Sequence, residues 1–168
     1  MRHYTIFILT AILLVIGACT PYPRYSSAPV MPIKDVDPIE PRLSTAEYIR
    51  LGLIVQSYLG KPYAGTSKYD PGVDCSAFTQ EVFRKFNQTI LPRTAEAQFH
   101  EGRAVPDTRI KLGDLVFFRT DHSGISHVGI AISQQEFIHS SSSKGVIISN
   151  RYEDYWARRF AGARRIIE

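Results

Sequence analysis

Apolar residues recur with three different periods along the 168 residues of this chain. From Ile6 to Ile16 they run together, broken only by Thr10. Past residue 43 the spacing turns helical. Ser44-Thr45-Ala46-Glu47 fits a capping box, and Tyr48, Leu51, Val55 and Tyr58/Leu59 follow on one face up to a stop at Gly60. Lys61 to Thr66 reads as loop. A second helix is predicted from Cys75 to Phe86, with Asp74 as N-cap and Phe78, Val82, Phe83 and Phe86 as one buried stripe. From about residue 110 the pattern is strand-like. Leu115–Phe118, His127–Ile132, Glu136–Ser140 and Gly145–Ser149 are predicted strands. The short connections at 133–135 and 141–144 predict an antiparallel meander. Tyr152–Trp156 reads as a helical turn and Gly162–Ile167 as a last strand. Helices followed by a run of strands is the α+β pattern.

The first apolar run is 11 residues long, short of the ~20 needed to span a bilayer. Arg2 and His3 precede it and Gly17-Ala18 close it, the layout of a secretory signal. Cys19 directly after the small pair resembles a bacterial lipoprotein signal. That resemblance implies removal of residues 1–18, acylation of Cys19 and anchoring in a lipid bilayer, several acyl chains holding firmly where one is marginal. An ordinary signal peptide or an uncleaved anchor helix are the other readings. Thr20, in place of an aspartate, implies by the same resemblance an outer-membrane location facing the periplasm. In a Gram-positive cell it implies the outer face of the plasma membrane. Residues 19–43 hold six of the ten prolines, so they read as a semi-rigid tether or as a tail with no spacer role. Residues 44–168 then form one domain, large enough for its own core.

Composition narrows the function classes. With 44% hydrophobic and 21% charged residues, disorder and a multi-span membrane protein are excluded. Twenty Lys and Arg against sixteen acids give +4, too diffuse for a nucleic-acid binder. Two cysteines exclude a disulfide scaffold. His100 and His122 lack metal-ligand spacing, so no metal site and no cofactor are expected. Asp114 reads as a turn residue, and Arg93, Arg158, Arg159, Arg164 and Arg165 as surface or ion-pair residues.

Cys75 is the only thiol of the folded domain and stands at a helix start. The positive end of the helix and its unpaired N–H groups favour thiolate over thiol, lowering the usual pKa of ~8.5. The same N–H groups can receive an oxyanion. An inert buried cysteine is the alternative. His127 opens one predicted strand and His139 lies near the end of the next. A three-residue loop at 133–135 pairs Ile132 with Glu136, and this register puts both histidines on one face as diagonal neighbours, ~7–8 Å apart. A two-residue turn would part them. Nucleophile, base and orienting partner are then all available: Cys75, His127 and His139.

The segments Gly60-Lys61-Pro62-Tyr63, Asp74-Cys75-Ser76, Leu91-Pro92-Arg93-Thr94, Gly113 to Phe118, His127-Val128-Gly129-Ile130, Phe137-Ile138-His139-Ser140 and Ala163-Arg164-Arg165 together resemble the NlpC-type cell-wall cysteine peptidase family. They stand in the family's order across residues 60–168. The resemblance implies a papain-like fold, Cys75 as nucleophile, His127 as general base and His139 as third polar residue. It also implies Tyr63 near the oxyanion site, with Asp74 and Ser76 as candidate contacts to the stem peptide. The implied substrate is peptidoglycan in the cell envelope, cut between γ-D-glutamate and diaminopimelate or at D-alanyl–diaminopimelate crosslinks. Ala77 stands where the family has glycine, and Gly65-Thr66 where it has paired glycines, which puts substrate preference in question. A non-catalytic wall-binding lipoprotein, or an amidase or acyltransferase on another substrate, are the rival readings. An unreactive Cys75 thiol would favour the binding protein.

Overall fold

The computed structural model describes residues 43–64, 70–121 and 124–167. Cys19, the signal and the proline-rich tether lie outside the described residues. Helix α1, Thr45–Gln56, starts on the expected capping box. The Glu47 N–H donates to Ser44 Oγ at 3.3 Å, and the Ser44 N–H donates to Glu47 Oε2 at 2.8 Å. Leu51, Val55 and Tyr58 are buried as the stripe requires, whereas Tyr48 and Leu59 are exposed; the helix ends at Gln56, before the expected stop at Gly60. Helix α2, Cys75–Asn87, is capped by Asp74, which accepts from the Ala77 N–H at 2.8 Å. It buries Phe78, Val82, Phe83 and Phe86 as its spacing requires. Gln88 ends it in the left-handed region at φ 64°.

Two elements between 87 and 110 carry no readable period. A five-residue helix α3, Ala95–Phe99, hangs on the Thr94 cap, and a three-residue strand β1, Arg103–Val105, exists only as an edge to the last strand. The remaining strands are β2 Leu115–Phe118, β3 His127–Ala131, β4 Glu136–Ser141, β5 Gly145–Asn150 and β6 Phe160–Arg165, with a short helix α4, Asp154–Ala157, before β6. They form one antiparallel sheet in the order β1-β6-β2-β3-β4-β5. The predicted meander is β2 to β5. β6 does not extend it but returns to the free edge of β2.

All four β2 residues are buried because the sheet is covered on both faces at its centre. Leu115 and Phe117 join the core under α1 and α2, whereas Val116 and Phe118 join a smaller core with Phe137 and Trp156. Asp114 proves to be more than a turn residue. It is 1% exposed and grips Arg165, which is 6% exposed, through Nε–Oδ1 and Nη2–Oδ2 contacts of 2.7 and 2.8 Å. The architecture is α+β, with helices on a six-stranded antiparallel sheet.

Candidate active site

Cys75 enters the site as the first residue of α2. The chain before it is fixed from two sides. The Ser140 hydroxyl donates to Val73 O at 2.6 Å, tying the helix start to β4 beside His139. The Gln98 side-chain N–H donates to Ser76 O at 3.2 Å and Pro92 O at 2.8 Å, while Thr79 donates to Gln98 Oε1 at 2.7 Å. This buried network holds the first turn of α2 in place, and Gln98 and Thr79 are 0% exposed.

The histidines come from neighbouring strands. β3 and β4 pair Ile130 with Ile138 and Ala131 with Phe137, the register that a three-residue loop demands. His127 and His139 are therefore diagonal on one face, with His127 Nε2 and His139 Nδ1 2.9 Å apart. Gly129 lies between them in the ladder. A Cβ there would stand 2.7 Å from Ile138 O and 3.0 Å from His139 Cβ, so the close approach requires glycine. The second ring nitrogen of His139 is 3.0 Å from Ser149 Oγ on β5.

Tyr63 is placed by the loop 60–62, which pairs with the start of β5: the Gly60 N–H donates to Val146 O at 2.9 Å and the Val146 N–H to Lys61 O at 2.8 Å. Gly145 turns there at φ 69°, and a Cβ would meet Lys61 O at 2.2 Å. Cys75, His127, His139 and Tyr63 then line one open cleft of about 500 Å³. The hairpin residues Ser140–Lys144 border it, as do Glu153, Tyr155 and Trp156.

Asp74 and Ser76 are not among the cleft-lining residues. Both are engaged beside it. Asp74 caps α2 and pairs with Arg93; Ser76 is 5% exposed, donates to Asp74 Oδ1 at 3.0 Å and accepts from Arg93 Nη1 at 2.9 Å. Arg93 is thus an ion-pair residue at the helix start.

Burial sets the resting protonation. It pushes the Cys75 thiol up, against the pull of the Val128, Ser76 and Cys75 N–H groups. The direction is opposite to the one the helix start alone suggested, because desolvation of the charge outweighs the donors. Burial also brings His127 down to about 4 and His139 to about 3, the latter with a contribution from His127. Both imidazoles are neutral at pH 7. Tyr63 is raised, first by burial and then by Cys75 and Asp74, and so keeps its phenolic proton. Among the described residues, no group of three or more metal-ligating side chains gathers.

Residues 60–165 match the sequence pattern of the NlpC/P60 family. The chain belongs to that family. It is 40% identical over 119 residues to the probable endopeptidase NlpC homolog of Haemophilus influenzae, covering 70% of this chain and 62% of the relative. It is 44% identical over 96 residues to the murein DD-endopeptidase MepS/murein LD-carboxypeptidase of Escherichia coli K12, covering 57% and 50%. The chain thus spans between half and two-thirds of these relatives' lengths. A crystal structure from Staphylococcus aureus, described as similar to lipoprotein and of the NLP/P60 family, overlays 80% of this chain and 45% of that one, with a TM-score of 0.65 and 26% identity.

Within this NlpC/P60 domain, sequence reasoning missed an aromatic wall. Trp156 stacks on His127 at 5.4 Å and meets His139 edge-on at 4.9 Å, while Phe137 stacks on His139 at 4.8 Å. These rings cover one side of both histidines and contribute to the burial that depresses their pKa values. The only signal for Trp156 was that it is the sole tryptophan, in the predicted helical turn.

Proposed function

We propose that this protein is a cysteine peptidase of the bacterial cell envelope, hydrolysing stem peptides of peptidoglycan. One observation carries the reading: a thiol at a helix start lines the same cleft as a pair of hydrogen-bonded histidines. His127 Nδ1 takes the proton from Cys75 Sγ as the sulfur bonds to the scissile carbonyl carbon. The charge on the carbonyl oxygen is received by the Cys75 N–H and the Tyr63 hydroxyl. His127 returns the proton to the leaving amine as the C–N bond breaks, leaving an acyl-thioester. It then takes a proton from water as the water oxygen bonds to the thioester carbon; the C–S bond breaks, the acid product leaves, and His127 returns the proton to Cys75 Sγ. His139 accepts the Nε2–H of His127 and so keeps Nδ1 free. Asp74 and Ser76 hold the helix start and Arg93 beside the cleft.

Within this reading Cys19 carries the acyl chains, residues 19–43 are the tether, and the domain sits on the periplasmic face of the outer membrane. The bond between γ-D-glutamate and diaminopimelate is the first candidate. The D-alanyl–diaminopimelate crosslink is the second, supported by the DD-endopeptidase named in the Escherichia coli relative. Incubation of residues 20–168 with the tripeptide L-Ala-γ-D-Glu-diaminopimelate and with a crosslinked muropeptide dimer, read by mass spectrometry, separates them by fragment mass. A wall-binding protein without turnover is the competing reading. Both substrates remaining intact, with measurable retention on sacculi, would establish it instead.

A further inference from the structure

The hydrogen-bonded series of side chains continues past His139. β4 and β5 pair Phe137 with Ser149 and His139 with Ile147, so Ser149 is diagonal to His139 as His139 is to His127. The three side chains step across three adjacent strands on one face, linked at 2.9 and 3.0 Å.

We propose that Ser149 is a positioning residue, its hydroxyl oxygen fixing the proton arrangement of the His127–His139 pair. This rests on the proposed role of His127 as base. A neutral imidazole has one N–H and one acceptor nitrogen. Two arrangements satisfy both contacts. In the first, Ser149 Oγ accepts from His139 Nε2–H, His139 Nδ1 accepts from His127 Nε2–H, and His127 Nδ1 keeps its lone pair. In the second, Ser149 donates to His139 Nε2, His139 Nδ1–H donates to His127 Nε2, and His127 Nδ1 carries a hydrogen that bars it from taking the thiol proton. Once His127 is an imidazolium, only the first arrangement survives. His139 Nε2–H then needs an acceptor, and His139 is 1% exposed. Without the serine oxygen that N–H loses the protein acceptor placed on it, a larger loss for a donor than for an unfilled lone pair. Removing the hydroxyl therefore shifts the resting pair toward the second, unproductive arrangement.

The test reads the ring nitrogens directly. Full-length protein in detergent micelles, labelled with ¹⁵N-histidine, is examined at pH 7 by long-range proton–nitrogen correlation, with no substrate present. Wild type is expected to show His127 and His139 both as Nε2–H tautomers. Ser149→Ala and Ser149→Val are expected to move His139 to Nδ1–H, while Ser149→Thr, which differs from the valine variant by a hydroxyl for a methyl, keeps the wild-type pattern. In muropeptide turnover, the alanine variant should lose about tenfold in kcat with KM little changed, and the threonine variant should recover most of it. Wild-type tautomers retained in the alanine and valine variants, or a loss that threonine does not restore, would overturn the proposal. The tautomer readout needs no catalysis, so it stands apart from any failure of the peptidase reading.

Discussion

Asp114–Arg165, buried, and His127–His139, largely covered, are polar pairs on the same sheet, yet they rest in opposite states. The first joins a carboxylate to a guanidinium through two contacts, so each charge finds its opposite inside the protein. The second joins two neutral rings, ends on a hydroxyl and is walled by Trp156 and Phe137, so burial drives both pKa values down and outweighs the one opposing contact, a backbone hydrogen bond from His139 to Ser140. Burial alone does not decide whether a group is charged; the partner does. The ion pair fastens β6 to the turn before β2 and is architecture. The neutral pair can still accept a proton, and that unfilled capacity makes it chemistry.

Removing a member of each pair should therefore fail in different ways. The largest effect is expected from His127→Ala: muropeptide turnover should fall by about 10³–10⁴-fold with the melting temperature little changed. Asp114→Ala should do the reverse. It leaves a buried guanidinium without its carboxylate, a loss of about 3–5 kcal/mol in denaturant unfolding. The double change Asp114→Leu with Arg165→Met should recover most of that stability, since no charge is then stranded.

Acid should separate the pairs next. Because His127 is depressed from 6.5 to about 4, the unfolded chain binds a proton in that window that the folded chain refuses. The stability is present in full above pH 6.5 and is lost as pH falls toward 4, by on the order of 3 kcal/mol. His139 extends the window to about pH 3. Urea unfolding at pH 7, 5.5 and 4.5 measures this, and His139→Gln should flatten the slope. The smallest effect is expected from Gly129→Ala. Its Cβ would press on Ile138 O and His139 Cβ, costing about 1–3 kcal/mol as overpacking and widening the distance between the histidines. A thermal melt and a turnover assay on one sample would read both.

Much of this was legible in the chain itself. The caps at Ser44 and Asp74, the stripe of α2 and the four meander strands are local patterns, and they fold as their own spacing dictates. The facing of His127 and His139 followed from a loop of three residues. Extending the same register one strand further leads to Ser149. What could not be read depends on distant partners. β1 is three residues that mean nothing without β6, and no local pattern tells β6 which edge to join. The Arg165 that keeps Asp114 buried is 51 residues away. The upward push on the Cys75 thiol is hidden for the same reason: its helix start is visible in sequence, but the packing that desolvates it is not.

The most direct test of the central claim is a quenched digest. Purified muropeptides are mixed with wild type and with Cys75→Ala, acid-quenched at short times, and both the products and the intact protein are weighed by mass spectrometry. The account predicts fragments with wild type alone, together with a transient adduct of acyl-fragment mass on the peptide containing Cys75. Equal product from the alanine variant would contradict it, as would wild type leaving every muropeptide intact and carrying no adduct.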